Sequence, residues 1–380
     1  MLELTKHGFS REKAYTIVQK NAQNSWKKNI SFYESLVNDR LINKRISNRN
    51  MSKMRSARLV EIGRMECDEI EMGPLQPGKV RVQTEMASIC GSDLHVVMMG
   101  AGLGYPCPCP HGYPGHEGIG IVVESKSVDL SEGTHVLTFP NPPVGECFNE
   151  YQRIGPGYCV PLPDSDLPRS QLMMAQQFGT VIYAMNRNPC DVRGKTVAVI
   201  GQGSAGLFWT YLLKRAGAER VITSDLSDTR LDVSQKYGAD VCVNARQEDF
   251  VTVVNDLTQG EGADYVVEAV GCSETFLQSV DLVRRDGELM WFGLPSVDDN
   301  IPFQFQKFFR KRLKAISDYG SQDEPGAASF REALRLIAEK EIDVAPLLSH
   351  IFNVEDIEKA MHLAHAPQDA GALKVSIHFE

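Results

Sequence analysis

The residues most able to do chemistry lie in two short strings, ASICGSDLH and YPGHEGIG. Together they place a thiol at Cys90, an imidazole at His116 and a carboxylate at Glu117 in one stretch of the chain. These are the ligand types of an open, catalytic zinc site, in which one position stays free for substrate or water. The two strings therefore predict a metal ion that polarises a carbon–oxygen bond.

Three neighbouring side chains complete this constellation. Asp93 is positioned to accept a hydrogen bond and orient a ligand, as the carboxylates behind metal ligands do. Ser92 and His95 offer a hydroxyl and an imidazole that can move a proton beside the metal. Taken singly, each residue has an ordinary structural explanation, since a buried Cys often packs as a small apolar side chain. Their combination predicts a catalytic site.

A second set of possible ligands follows in YPCPCPHGYPG. Cys107, Cys109 and His111 could form a separate metal clip, but the alternating prolines stiffen this loop and favour a wall of the substrate pocket. The other cysteines are too dispersed for a ligand set, and we expect core or surface thiols at Cys67, Cys147, Cys159, Cys190, Cys242 and Cys272.

The string VAVIGQGSAG predicts a dinucleotide-binding loop. Gly201 permits the tight turn, Gly203 lets the backbone approach a pyrophosphate, and Gly206 allows close contact of helix and strand. Asp225 ends the next predicted strand, where a carboxylate accepts hydrogen bonds from ribose hydroxyls and disfavours a 2′-phosphate. NAD is therefore favoured over NADP, although the nearby Arg230 suits NADP. The alternative is a structural glycine turn without a ligand.

The elements that must position these residues differ between the two halves of the chain. Short β-rich segments separated by Gly and Pro turns extend to about residue 165. A helical pattern covers 168–188, after which strands and helices alternate, as in a doubly wound parallel sheet. Helices near 327–340 and 354–365 and a last strand, ALKVSIHF, follow. The fold class is therefore α/β, with a β-rich domain and a doubly wound domain.

These motifs together resemble the zinc-containing medium-chain dehydrogenases, which include alcohol, sorbitol, threonine and glucose dehydrogenases. The resemblance covers residues 55–380 and implies a GroES-like catalytic domain over 55–187, a Rossmann domain over 188–322 and a return to the catalytic domain over 323–380. It implies hydride transfer between NAD(H) and a small alcohol, polyol or sugar and its carbonyl.

The same resemblance assigns the metal ligands. It implies that Cys90 and His116 bind one catalytic zinc, whereas the third ligand varies in the family and can be the Glu of the G-H-E string in polyol dehydrogenases, here Glu117. Gln176 occupies a later ligand position of the family, in MMAQQFGTVIYA. Because Gln is a poorer ligand than Cys, we expect Glu117 to carry more of the coordination, with Gln176 close by.

The resemblance also implies a proton relay and a phosphate contact. Ser92 would pass the proton of the alcohol through a ribose hydroxyl to His95 and then to solvent. Lys374 matches a basic position that can reach the cofactor phosphates. Many family members bind a second, structural zinc with four cysteines, where this chain has only Cys147, so we expect no structural zinc.

The first fifty residues form a separate segment, with ten Lys or Arg against four Asp or Glu. Residues 10–37 predict a helix. Residues 1–47 resemble the C-terminal helical end of bacterial adenylosuccinate lyase, without the catalytic loops of that enzyme. We therefore expect a non-catalytic extension without lyase activity, arising from a gene fusion or from an early start, with Met51 or Met54 as the alternative start.

Composition sets the remaining limits. A formal net charge of -9 argues against nucleic acid and anionic membranes as partners. The sequence contains no apolar run of membrane-spanning length and no secretory pattern, and its nine scattered cysteines suggest reduced thiols. We expect a cytoplasmic protein that acts on a small molecule, and family habit implies a homodimer or homotetramer.

Two other functions stay open at the level of sequence: a metal-free medium-chain quinone or enoyl reductase, and a non-catalytic nucleotide-binding scaffold. Neither would require Cys90, His116 and Glu117 together. The substrate is not encoded in any motif. Its pocket is expected to be formed by the segments 96–113 and 139–148 and the region 293–320, in which Asp318 and Tyr319 could bind hydroxyl groups.

Overall fold

The computed structural model describes residues 11–28, 32, 35, 39, 53–102, 104–141, 144–295, 300–301, 303–366 and 371–379. Its chain divides into two compact units. The first comprises Met1–Arg55 and Glu69–Pro74, and the second comprises Ser56–Asp68 and Leu75–Glu380.

Helix α1, Arg11–Lys28, is the main described element of the first unit. Its buried residues Ala14, Ile17 and Asn21 recur at the spacing of one helical face. The Asn21 amide donates to Asp39 Oδ2 at 2.7 Å and accepts from the Ser35 hydroxyl at 2.9 Å. The predicted helix is thus present from residue 11 to 28, and most of its expected continuation to residue 37 lies outside the described residues.

Two sheets lie in the part of the structure that holds the possible metal ligands. One is formed by the first two strands, and the other combines early strands with the last two. The smaller is a two-stranded sheet of β1 and β2, and the larger has seven strands in the order β14-β15-β3-β4-β5-β7, with β6 paired to β3. The strands are β1 Lys53–Glu61, β2 Arg64–Glu71, β3 Val80–Ser88, β4 Gly118–Ser125, β5 His135–Thr138, β6 Tyr151–Ile154, β7 Cys159–Pro161, β14 Leu348–Asn353 and β15 Lys374–His378.

The register of the larger sheet brings three distant segments to one place. Strand β3 pairs antiparallel with β15 on one side, where Ser376 lies opposite Ser88. On its other side β3 pairs with β4, where Ala87 lies opposite Gly118. The end of β3 and the starts of β4 and β15 therefore meet, and each of these termini carries a residue of the candidate site.

The second large sheet is parallel and has six strands in the order β10-β9-β8-β11-β12-β13. This is the doubly wound order, in which the strand order reverses between the first and fourth strands and opens a crevice for a ligand. Its strands are β8 Thr196–Ile200, β9 Arg220–Asp225, β10 Val241–Asn244, β11 Ala263–Glu268, β12 Val283–Trp291 and β13 Lys314–Ser317.

The described helices of the second unit connect and cover these sheets. They are α2 Gly91–Leu94, α3 Arg169–Met173, α4 Ala175–Arg187, α5 Ser204–Arg215, α6 Asp228–Lys236, α7 Phe250–Leu257, α8 Ser273–Leu282, α9 Phe305–Lys311, α10 Ala328–Ala338 and α11 Ile357–His365. Among the described residues, no helix has the length and hydropathy that crossing a bilayer requires.

Helix α4 joins the two sheet regions through close aromatic packing. Phe178 stacks on Phe208 of α5, with ring centroids 4.6 Å apart. On α10, Phe330 packs against Phe139 at 4.3 Å. Gly179 permits the approach of α10, since a Cβ there would lie 2.5 Å from Phe330 Cδ1 and 2.9 Å from Phe330 Cα. This packing fixes the start of α4, which carries two residues of the site.

The predicted fold class is confirmed, with a GroES-like sheet domain and a parallel Rossmann sheet. The domain boundaries 55–187, 188–322 and 323–380 stay a prediction, although β14 and β15 do pair within the early sheet. The sequence analysis missed the short helix α2 and the π-helical turn His95–Met99 that continues it. Four residues are too few for a helical periodicity to be recognised.

Replacing Gly179 by Leu should destabilise the protein by about 1–3 kcal/mol or more, because the added side chain must displace Phe330. The measurement is urea unfolding followed by tryptophan fluorescence. Gly157→Ala is the matched control, since a Cβ at Gly157 meets nothing within 4 Å. Equal stability of the two variants would show that α4 and α10 can separate freely.

Candidate active site

Three possible metal ligands converge between strands β3 and β4. Cys90 follows β3 and precedes α2, whereas His116 and Glu117 lead into β4. One ligand atom from each lies within 4.8 Å of the others, and no other described group of His, Cys, Asp and Glu meets in this way. A thiolate, an imidazole and a carboxylate at such separations can share one small cation.

The ring of His116 is held by its Nδ1 atom. That nitrogen lies 3.0 Å from Asp93 Oδ1 and 3.3 Å from the Pro114 carbonyl oxygen. Its Nε2 lies 3.4 Å from Ser92 Oγ and is therefore the atom turned toward the hydroxyl. Burial alone would lower the pKa of His116, but the adjacent Asp93 and Cys90 raise it well above its usual value.

Asp93 orients two of the possible ligands at once. Its buried carboxylate accepts a hydrogen bond from the Cys90 amide at 2.9 Å through Oδ2, while Oδ1 faces His116. The short helix α2 makes this possible, because Cys90 is its N-cap and Asp93 its third residue. The predicted orienting role of Asp93 therefore has a geometric basis.

Glu117 has one satisfied and one unsatisfied carboxylate oxygen. Oε2 accepts from the Ser88 hydroxyl and lies 2.6 Å from Lys374 Nζ. Oε1 is buried without a hydrogen-bond partner among the described residues. Burial would raise the pKa of Glu117, but Lys374 and His116 lower it overall, so the group is ionised. An ionised buried oxygen without a donor is costly, and a cation beside Cys90 and His116 would remove that cost.

Lys374 begins β15 and is almost fully buried. Burial opposes its charge, but Glu117 and Cys90 raise its pKa, so the ammonium is retained. Its Nζ also lies 3.2 Å from Gln177 Oε1. Lys374 is thus a partner of Glu117 in this structure, and the expected contact with cofactor phosphates stays a prediction.

The start of α4 contributes one expected and one missed residue. Gln176 is buried and lines the same cavity as Cys90 and His116. The next residue, Gln177, accepts from the hydroxyl of Ser204, the first residue of α5, and from Lys374. Gln177 therefore connects the metal-ligand region to the glycine-rich loop. No sequence motif marks it, because its partners lie far away in the chain.

The glycine-rich loop has the backbone expected for a dinucleotide cradle. Gly201 adopts φ +87°, and a Cβ there would lie 2.5 Å from Val270 Cγ2. At Gly206 a Cβ would lie 1.8 Å from the Gly201 carbonyl oxygen, so the helix can approach the strand only without a side chain. A Cβ at Gly203 would meet open space, which leaves room for a ligand.

Asp225 lies at the end of β9 and holds the same loop. Its Oδ2 accepts from the Gln202 amide at 2.7 Å, and its Oδ1 accepts from the Ser227 amide at 2.9 Å. Arg230 lies 3.7 Å from Asp225 Oδ2 and donates to the Ala372 carbonyl. Both residues are therefore near the loop as expected, and the preference for NAD over NADP stays a prediction.

Ser92 and His95 both line the cavity beside the metal-ligand cluster. His95 Nδ1 is buried and has no hydrogen-bond partner within the described part of the chain. Burial lowers the pKa of His95, and His365 on the facing helix α11 lowers it further. The imidazole is therefore neutral near pH 7 and able to accept a proton.

The cavity has a volume of about 910 Å³. The segments expected to form its walls all contribute residues, including Ala101, Asn141, Leu294 and Tyr319. Val270 and Gly293, which follow β11 and β12, line its Rossmann side. The cavity therefore reaches from the metal-ligand cluster to the crevice where the strand order reverses.

The alternative clip of Cys107, Cys109 and His111 does not form a ligand cluster in the described residues. His111 Nε2 lies 3.2 Å from Asp68 Oδ2, and Cys109 Sγ lies 3.8 Å from the Tyr105 carbonyl oxygen. Cys147 is buried 3.6 Å from Thr138 Oγ1. All nine cysteines are among the described residues, and none of them forms a disulfide.

Comparison with known families gives three matches. The model described as zinc-binding dehydrogenase matches residues 205–339, and the model described as alcohol dehydrogenase GroES-like domain matches residues 76–164. The model described as adenylosuccinate lyase C-terminus matches residues 1–57. Both suspected resemblances, that of the main chain and that of the N-terminal segment, are thereby confirmed.

Individual proteins are similar over most of their length. L-threonine 3-dehydrogenase of Bacillus subtilis is 27% identical over 326 residues, covering 79% of this chain and 92% of its own. An alcohol dehydrogenase of Cupriavidus necator is 28% identical over 370 residues, covering 84% of this chain and 96% of its own. The structure of alcohol dehydrogenase TADH from Thermus sp. ATN1 has the same fold, with a TM-score of 0.73 at 24% identity over 86% of this chain and 100% of that one.

Removing the charge of Lys374 should destabilise the protein, because Lys374→Met leaves the Glu117 carboxylate buried without its cation. Breaking a buried ion pair in this way costs about 3–5 kcal/mol. The double variant Glu117→Gln/Lys374→Met should recover part of that loss. Unfolding free energies measured in urea with a chelator present test the pair, and additive losses would mean that the two groups do not interact.

Proposed function

Because the chain belongs to the zinc-containing medium-chain dehydrogenases, we propose that it is a zinc-dependent oxidoreductase acting on CH–OH groups, which moves a hydride between NAD(H) and a small alcohol and its carbonyl. One observation carries the metal part of the proposal. The donors of Cys90, His116 and Glu117 approach within 4.8 Å, and Glu117 keeps one ionised oxygen without a partner.

In this proposal Cys90, His116 and Glu117 hold one zinc ion, and Gln176 offers a neutral oxygen from the same cavity. Bound zinc would act as a Lewis acid that lowers the pKa of an alcohol and polarises a carbonyl. Asp93 keeps the ring of His116 and the backbone of Cys90 in place. Ligands that are already oriented lose little freedom when they bind a metal, which favours affinity.

The glycine-rich loop is the proposed cofactor site. Gly201, Gly203 and Gly206 let the backbone amides at the start of α5 face a pyrophosphate. Asp225 places a negative charge at the end of β9, and for that reason we favour NAD over NADP. A nicotinamide cofactor supplies the hydride chemistry, and the protein's contribution is to position it and exclude water.

Ser92 and His95 are the proposed proton acceptors. Ser92 Oγ lies next to the His116 ring and lines the cavity, where it can take the proton of a bound alcohol. His95 is neutral because its pKa is lowered, so its buried Nδ1, which has no hydrogen-bond partner among the described residues, can receive a proton. Proton transfer of this kind is general base catalysis.

The remaining features of the proposal rest on the sequence and on what is usual in the resembled family. We propose domains at 55–187, 188–322 and 323–380, a homodimer or homotetramer, and a cytoplasmic location. Residues 1–50 are proposed to be a non-catalytic extension, because the lyase-like match there lies outside both dehydrogenase matches.

Metal content is the most direct test. The purified protein should contain about one zinc per chain, and Cys90→Ser should lose most of it together with alcohol oxidation. Cys107→Ser is the matched control, because Cys107 is an exposed thiol outside the ligand cluster. Elemental analysis and NADH absorbance give the two readouts.

The outcomes of the metal test separate the competing functions. Wild-type protein that contains no zinc yet reduces a quinone or an enoyl compound would be a metal-free reductase. If Cys107→Ser lost its zinc and Cys90→Ser kept it, the zinc site would lie in the loop Cys107–His111 and not at the cluster of Cys90, His116 and Glu117.

The rate of alcohol oxidation should depend on the protonation of His95. Since burial and His365 lower the pKa of this imidazole, kcat/KM should still be high at pH 6.5 and fall only at lower pH, where the ring becomes charged. His95→Gln should reduce the rate and remove this acidic limb. A pH profile of His95→Gln identical to that of the wild type would rule out the relay.

A further inference from the structure

We infer that the substrate is an uncharged alcohol or aldehyde with an apolar body, and not an amino acid, a hydroxy acid or a polyol. This inference rests on the proposed function, since it concerns the substrate of the same cavity. It follows from the charges that the cavity lacks, from the polar groups that are already bonded, and from the nature of its walls.

The described residues that line the cavity provide no Lys or Arg side chain for a carboxylate. The sequence of the two flanking segments, 96–113 and 139–148, contains no Lys or Arg either. Proteins bind carboxylates through charge-assisted hydrogen bonds from such side chains. A hydroxy acid or the carboxylate of an amino acid would therefore be buried without a partner.

The acidic groups of the cavity are already engaged. Asp318 Oδ2 lies 3.1 Å from both Asn188 Nδ2 and Arg187 Nε, and Oδ1 accepts from the Tyr319 amide at 3.0 Å. Near the metal-ligand cluster, Glu117 is paired with Lys374. The expectation that Asp318 binds substrate hydroxyls is therefore not supported by its contacts. Among the described acidic groups of the cavity, Glu117 Oε1 has no hydrogen-bond partner, but in the proposed function Glu117 is a metal ligand and is not free for a substrate ammonium group.

Two neutral polar side chains of the cavity, Thr180 and Asn141, already have hydrogen-bond partners. The Thr180 hydroxyl lies 2.9 Å from Ser321 Oγ and donates to the Gln176 carbonyl at 3.1 Å. The Asn141 amide donates to Asp323 Oδ1 at 3.1 Å. A polyol would have to break such bonds or bury hydroxyl groups without partners, and each unpaired hydroxyl costs free energy.

Three aromatic side chains, Phe276, Trp291 and Phe303, form an apolar wall of the cavity. Trp291 meets Phe276 edge to face at 6.1 Å and Phe303 at 5.9 Å. The Trp291 Nε1 donates to Ser279 Oγ, so its polar atom is already bonded. Ile301 lines the cavity beside these rings. Such a wall binds hydrocarbon chains and aromatic rings by burial of apolar surface.

A matched substrate series tests the inference. From ethanol through 1-butanol to 1-hexanol, kcat/KM should rise about three- to fourfold per methylene group until the wall is filled. Benzyl alcohol should be a good substrate, whereas L-threonine, lactate and sorbitol should be at least about 100-fold poorer than 1-hexanol, the size of effect expected from one unpaired buried polar or charged group. Higher kcat/KM for any of these three would overturn the inference while leaving the proposed dehydrogenase function intact.

A binding measurement separates this inference from the chemistry. The NADH-saturated protein is titrated by calorimetry with acetamide and with hexanamide, two inert analogues that differ only in their apolar chain. Hexanamide should bind about 80- to 250-fold more tightly, as expected for four added methylene groups at about three- to fourfold each. Equal binding overturns the inference whether or not any alcohol is oxidised, and absent turnover with all alcohols would instead refute the proposed function.

The aromatic wall can be probed by one substitution. Phe303→Ala should raise KM for 1-hexanol about tenfold and leave the values for ethanol within about twofold, because only the longer chain reaches the ring. Phe309→Ala is the control, since Phe309 is an exposed aromatic residue of α9 that does not line the cavity. Equal effects of Phe303→Ala on both alcohols, in protein with an unchanged melting temperature, would show that this ring does not contact the substrate.

Discussion

The buried ion pair of Glu117 and Lys374 is the interaction on which the rest of the site depends. It keeps a carboxylate ionised in a place where burial alone would neutralise it. The Asp93 carboxylate lies in the same buried region, 3.0 Å from the His116 ring. Such a concentration of negative charge is stable only beside cations, because repulsion between buried like charges is strong in a low-dielectric interior. Lys374 supplies one cation. The possible ligand atoms of Cys90, His116 and Glu117 lie close enough together to bind a second one.

The pairing of strands explains how these groups meet. Since β3 lies between β4 and β15, the sheet register brings together residues that are nearly three hundred positions apart in the chain. Gln177 then extends the network to Ser204 at the start of α5. One chain of contacts therefore joins the metal-ligand cluster to the glycine-rich loop. Coupled positioning of this kind is what hydride transfer requires, since the reacting groups must be held at close and defined distances.

The cavity combines charged and aromatic side chains. Glu117, Lys374 and His116 lie at the cluster between β3 and β4, Asp318 follows β13, and aromatic side chains from β12 and the segment after it line the same cavity. A polar reaction centre with an apolar wall holds an alcohol by its hydroxyl at one end and by its carbon chain at the other. The related proteins include dehydrogenases named for threonine and for alcohols.

The sequence alone determined the types of the candidate ligands, the glycine spacing and the fold class, because these depend on neighbouring residues and on local periodicity. Cys90, Asp93, His116 and Glu117 lie within two short strings, and a glycine-rich turn after a strand has few conformational alternatives. Only the tertiary structure decided which of these side chains pair with one another. The partners of Lys374 and of Asp318, and the bridging position of Gln177, arise from contacts between distant segments, and no local pattern encodes them. The physical reason is that a side chain's charge state and free hydrogen-bonding capacity depend on everything packed around it.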